Sequence, residues 1–182
     1  MRVIIGITGA SGAIVGIKLL QNLNAEKYLI ISDNAKKIIE YETSYSLDYV
    51  KSLATRVYDN SSMNEDIASG TTRFDALVIA PCSTSTLSKI ASGIADNLIT
   101  RVASVALKEG RKIVLVPRET PLSPIVLENM LKLSKLGVVI LPPVPAFYLR
   151  PKNIEDVVNY IVGKILDSLG AEHGLYEPYS PQ

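Results

Sequence analysis

Cysteine, histidine and tryptophan are nearly missing from this chain: 182 residues hold one cysteine (Cys82), one histidine (His173), no tryptophan and two phenylalanines. One cysteine excludes an intrachain disulfide framework and argues against a cysteine-based zinc site. One histidine, set in a polar C-terminal stretch, argues against a Ser-His-Asp triad or a histidine-rich metal centre. Neither charge is in excess, with 19 Lys and Arg against 18 Asp and Glu. Nucleic-acid-binding proteins show a clear basic surplus, so that class is set aside. No run of like charge exceeds two residues, so a charged tail is set aside too. Nor is there the run of about 18 apolar residues that a membrane span needs. The opening MRVIIGITGASGA pairs Arg2 with small residues, as a signal peptide would. Its apolar centre, residues 3–5, is too short and is followed by Gly6, Thr8 and Gly9, so it reads as a strand and loop. The expected setting is reduced and cytoplasmic.

What is present is aliphatic. Hydrophobic residues make up 47% and aromatics only 6%. A chain of this size forms one domain and buries about 70% of its unfolded surface. The apolar surplus predicts a homo-oligomer. Short apolar runs predict strands at 2–8, 28–31, 76–80, 112–116 and 138–141. Amphipathic stretches between them predict helices at 12–23, 34–42, 84–91, 97–108, 124–136 and 154–169. In the last, Ile154, Val157, Val158, Ile161, Ile165 and Leu169 form one stripe. Residues 43–72 are polar and weakly periodic, with room for a short helix near 47–53 and a strand near 56–58. Continuous apolar strands alternating with helices predict an α/β, doubly wound parallel sheet with helices on both faces. One domain spans 1–170, followed by an extended polar tail at 171–182.

Such a sheet binds ligands beyond the carboxyl ends of its strands, where strand order reverses. The first predicted strand ends in Thr8-Gly9-Ala10-Ser11-Gly12-Ala13. This is neither the GxGxxG fingerprint nor a P-loop. It suits a phosphate through bare N–H groups at a helix start, or else Ser11 is only a cap and the glycines only form a turn. Ser83, Thr84, Ser85 and Thr86 follow another strand, as a second cradle for a ribityl chain or phosphate or as a cap with spare hydroxyls. Together they favour a mononucleotide. Asp33 is the alternative, as the ribose-binding acid of a NAD site. Arg101 and Lys108 share a helix face. They join Arg118 in a cationic pocket for an anionic leaving group, or Lys108 merely complements a helix end. Glu119 is an ion-pair partner for Arg118 or a proton acceptor. Glu42 is a helix-end carboxylate, Cys82 a small buried thiol, and Tyr148 either packs or contacts ligand.

Taken together these blocks resemble the UbiX-type flavin prenyltransferases. The stretches that carry the likeness are IGITGASGA at 5–13, IAPCSTSTLSKIASGIADNLITRVASVALKEGRKIVLVPRETPLS at 79–123, LENMLKLSKLGVVILPPVPAFY at 127–148 and the helix at 154–169. The resemblance implies a Rossmann- or flavodoxin-like, metal-independent enzyme. It would move a dimethylallyl group from dimethylallyl phosphate to N5 and C6 of reduced FMN. The product, prenylated FMN, would serve a partner decarboxylase. It further implies that Gly9, Ala10, Ser11, Ser32 and residues 83–86 hold FMN. Arg118 would touch both FMN and the prenyl phosphate. Tyr148 and Lys164 would meet that phosphate, with Arg101 and Lys108 in the same pocket, partly across a subunit boundary. Ser11, Glu42 and Glu119 would handle protons. Relatives form dodecamers. Ser85 stands where the family usually has Gly. Tyr179 stands where relatives often have Trp, and is expected to close a neighbour's site. Two other functions remain: a decarboxylase of the same superfamily, whose active-site histidine has no counterpart here, and a non-catalytic FMN carrier.

Overall fold

The computed structural model describes residues 1–180. Six strands pair in parallel: β1 (Arg2–Ile7), β2 (Glu26–Ile31), β3 (Arg56–Asp59), β4 (Ala76–Cys82), β5 (Lys112–Pro117) and β6 (Val139–Ile140). Their order is β3-β2-β1-β4-β5-β6. Around them lie α1 (Ala13–Asn22), α2 (Asp33–Glu42), α3 (Leu47–Ser52), α4 (Thr84–Ala91), α5 (Leu98–Lys108), α6 (Pro124–Lys135) and α7 (Ile154–Leu169). The segment that is weakly periodic in sequence supplies α3, β3 and a 3-10 turn at Asp66–Ala68.

The central strands are apolar on both sides because both sides are covered. Every residue of β4 is buried. Alternate residues of β1 serve opposite layers. Val3, Ile5 and Ile7 pack with α1, α2 and α7, while Ile4 packs with α4 and α5. Helix α1 lies unusually close to the sheet. A Cβ on Gly16 would stand 2.3 Å from the Ala80 carbonyl oxygen, so only glycine admits this approach.

The chain leaves β1 outward to β2 and β3, then returns to place β4 on the other side of β1. The reversal therefore falls between β1 and β4, and the loops after these strands flank it. At the far end, Gly170 ends α7 in the left-handed conformation, φ 72°. Residues 171–180 form no helix or strand. They fold back on α7 rather than extending away: His173 Nε2 and the Tyr176 hydroxyl both bond Asp167.

Candidate active site

Thr8 joins the two loops at the reversal. Its hydroxyl, 2% exposed as a residue, donates to the Pro81 carbonyl at 2.9 Å and accepts from the Ser83 N–H at 2.8 Å. The Thr8 N–H adds a third bond to the same carbonyl at 3.2 Å. The turn after β1 is thus fixed against the turn after β4. Gly9 sits against α2, where a Cβ would come within 2.7 Å of the Asn34 Cβ. Gly12 begins α1 in the left-handed region, φ 97°, and its N–H donates to Glu42 Oε2 at 2.8 Å. Glu42, from the end of α2, is thereby held at the Ser11 loop.

The hydroxyls divide by task. Ser32 caps α2 and Ser83 caps α4, each accepting from the N–H three residues on. Ser83 also donates to the Thr86 hydroxyl at 2.9 Å. Among the described residues, the hydroxyls of Ser11, Thr84 and Ser85 and the N–H groups of Gly9 and Ser11 have no partner. Arg118 follows β5, its N–H directed to the Cys82 carbonyl and its Nε to the Ser11 carbonyl, both at 3.4 Å. It forms no ion pair with Glu119. Glu119 instead accepts from the Thr120 N–H at 3.0 Å. Ser11, Glu42, Ser83–86 and Arg118 thus gather around one edge of the sheet, with Glu119 following Arg118 in sequence.

The remaining candidate residues lie elsewhere in the protomer, so Arg101 and Lys108 stand apart from Arg118 within one chain. Arg101 donates from Nε to the Ala68 carbonyl at 3.0 Å. Lys108 ends α5 and pairs with Glu109 at 2.6 Å. That end of α5 adjoins the start of β5, while Arg118 follows its finish, a separation of about 20 Å along the strand. A third group forms on α7. Lys164 pairs with Asp167 at 3.0 Å. Tyr148 and Tyr179 meet edge to face with ring centres 5.3 Å apart. Tyr148 is half exposed; partial desolvation pushes its phenol up, and neighbouring Tyr160 adds to the shift while Lys164 opposes it. Asp33 is spent on Lys36 at 2.7 Å, and Cys82 is a buried free thiol whose burial raises its pKa. Sequence reasoning missed Thr8, Asn34 and Asp167 as site-building residues. Only the place of Thr8 at a strand end signals its role.

The edge fits a flavin mononucleotide on its own observations. Unpartnered N–H groups and hydroxyls, with a nearby guanidinium, are the donors a phosphate and a polyol require. Nothing stands within 4 Å of where a Cβ on Gly12 would be, so a ligand can approach the backbone there.

Fold and site define a doubly wound protein that holds a mononucleotide at its switch point. The sequence model of the Flavoprotein family matches residues 1–166. A flavin prenyltransferase UbiX of Methanocaldococcus jannaschii is 50% identical over 179 residues, 97% of each chain. The solved structure of AnUbiX in complex with FMN and dimethylallyl pyrophosphate is 44% identical with TM-score 0.97, covering 100% of this chain and 98% of that one. A dodecameric FMN-dependent UbiX-like decarboxylase from Escherichia coli O157:H7 is 48% identical with TM-score 0.93, covering 95% and 97%. The chain belongs to the UbiX-type flavin prenyltransferases of the Flavoprotein family.

Proposed function

We propose that this protein carries a dimethylallyl group from a dimethylallyl phosphate to reduced FMN, in the cytoplasm, and hands the prenylated flavin to a decarboxylase. The observation that carries this reading is the junction of Ser11 with Arg118 beside the Thr8 bridge, where an anion and a flat heterocycle can sit together. Gly9, Ala10, Ser11, Ser32 and residues 83–86 would hold FMN. Bound reduced FMN supplies the nucleophilic N5 and C6 atoms.

The residues act as follows. Breaking the allylic C–O bond sends the electron pair to phosphate. Arg118, fixed against the Ser11 carbonyl, stabilises the charge that develops there. Arg101, Lys108, Lys164 and Tyr148 complete the phosphate pocket from neighbouring protomers, since in one protomer they point to other surfaces. Tyr148 and Tyr179 offer ring faces to the electron-poor five-carbon fragment. Glu42, tied to the Gly12 N–H of the Ser11 hydroxyl's loop, and Glu119, next to Arg118 in sequence, carry the proton released when the last carbon–carbon bond forms.

Assembly follows from the surface. Ile125 and Leu131 on α6, Phe147 and Ile154 are more than half exposed in the protomer, an apolar display that subunit contacts would cover. We place the chain in a dodecamer like that of its Escherichia coli relative. No helix among the described residues is long and apolar enough to cross a membrane.

The test is anaerobic incubation of the purified protein with reduced FMN and dimethylallyl phosphate, followed by mass spectrometry. A flavin heavier by one five-carbon unit is expected. Unmodified flavin, or carbon dioxide released from an acid without a second protein, overturns the reading in favour of a carrier or a decarboxylase. His173, the only histidine, bonds Asp167 on α7 and offers nothing to the switch-point loops.

A further inference from the structure

Asp167 is the hub of a network that the reaction scheme above does not use. It lies one turn after Lys164 on α7 and accepts from Lys164 Nζ at 3.0 Å. The Tyr176 hydroxyl donates to the same oxygen, and His173 Nε2 meets the other oxygen at 3.0 Å. The His173 side chain is only 9% exposed. These partners come from the returning tail, which crosses α7 at Gly163. A Cβ there would stand 2.6 Å from the Tyr176 ring and 2.9 Å from His173 Cε1, so the crossing requires glycine. Tyr160 meets Tyr176 edge to face, ring centres 5.0 Å apart. Three residues beyond Tyr176, the same tail delivers Tyr179 to Tyr148.

We propose that Asp167 is the positioning residue of the α7 half of the prenyl-phosphate pocket, fixing the Lys164 ammonium and pinning the tail that brings Tyr179 onto Tyr148. This rests on the reading that Lys164 and Tyr148 meet the donor phosphate. A lysine has a long, freely rotating stem, and its ammonium binds phosphate as a point charge whose value depends on where it is held. Asp167 settles that position before the donor arrives, so the ordering cost is not charged against donor binding. Their hydrogen bond also raises the lysine pKa. Because Lys164 and the tail share one anchor, losing it disturbs charge and aromatic wall together.

The experiment compares D167N, Y176F and K164A with the unaltered oligomer. D167N should raise KM for dimethylallyl phosphate roughly tenfold, as loss of a charge-assisted bond implies. FMN affinity should stay unchanged and kcat should change less than KM. Y176F should fall between D167N and the parent. On ligand-free protein, amide exchange at Leu175, whose N–H donates to His173 Nδ1, should accelerate in D167N. K164A separates the two layers of the argument. If K164A raises donor KM and D167N leaves it and the Leu175 exchange unaltered, the positioning role is wrong. If K164A itself leaves donor KM unaltered, the placement of Lys164 in the pocket is wrong and the role falls with it. Equal losses in donor KM, FMN affinity and thermal stability in D167N would mark a general folding defect and also overturn the proposal.

Discussion

At Thr8 a single hydroxyl serves a carbonyl and an N–H that belong to a loop 73 to 75 positions away. Valine has nearly the same shape and no hydroxyl. Thr8→Val would leave the Ser83 N–H and part of the Pro81 carbonyl's capacity unmet at a buried place, which costs about 1–3 kcal/mol. The two halves of the cradle would also lose their common reference. The expected outcome is lower stability in urea and an FMN affinity reduced by roughly tenfold, while Thr8→Ser retains most of both. FMN fluorescence titration decides it, and a Thr8→Val protein that binds FMN like the parent removes Thr8 from the site. Nothing local in the sequence announces this bond. The small-residue turn and the serine caps are legible because their chemistry is between neighbours. A contact between distant positions depends on a sheet order that no spacing encodes. The spread of the cations within one protomer has a related cause. Seven residues put Arg101 and Lys108 on one face of α5, but also about 10 Å apart along its axis.

Among the elements, the strands and long helices are readable because burial on both faces writes continuous apolar runs. Strand β3 is harder because it is an edge with only Tyr58 buried. The close seat of α1 on β4 is invisible until the sheet exists, and it makes a sharp prediction. Gly16→Ala places a methyl group 2.3 Å from the Ala80 oxygen. Helix α1 must back away, at a cost of about 1–3 kcal/mol, and the Ser11 loop at its start moves with it. Thermal unfolding should show the loss, and FMN binding should weaken in parallel. A fully stable variant would mean that α1 relaxes freely. The tail–α7 junction makes a second prediction, in acid. The Tyr176 hydroxyl, with Lys164 and His173, holds the Asp167 carboxyl at about 2 against an ordinary 3.8. The lower value belongs to the folded state. Its stabilising effect is therefore complete above the ordinary value and is lost as pH falls from about 4 towards 2. Other carboxylates are lowered too, such as Asp96 beside Lys89, so the difference between parent and Asp167→Asn isolates this one. The parent's melting temperature should fall more steeply over that window. Parallel curves would show that the junction contributes nothing to folding stability.

At the scale of the whole molecule, one protomer spreads the residues of the proposed pocket over three places. Ser11, Glu42 and Arg118 are at the switch point, Arg101 and Lys108 lie along α5, and Tyr148, Lys164 and Tyr179 surround the end of α7. A reaction that needs fixed cations around a departing phosphate cannot be completed by the first group alone. The exposed apolar side chains of α6 and of the stretch leading into α7 supply the means of bringing copies together. If the pocket closes only between protomers, two inactive proteins can repair each other. Arg118→Ala removes the switch-point guanidinium, and Arg101→Ala removes one contributed by a neighbour, so each alone should lose nearly all prenyl transfer. After dissociation, mixing in equal amounts and reassembly, random pairing leaves roughly a quarter of the junctions with both arginines intact. Activity should return to about that fraction of the parent's. Sedimentation run beside the assay would confirm that each variant reassembles to the parent's size. Mixed oligomers of full size with no recovered activity would mean that Arg101 serves the pocket of its own chain, and the division of the site among protomers would have to be abandoned.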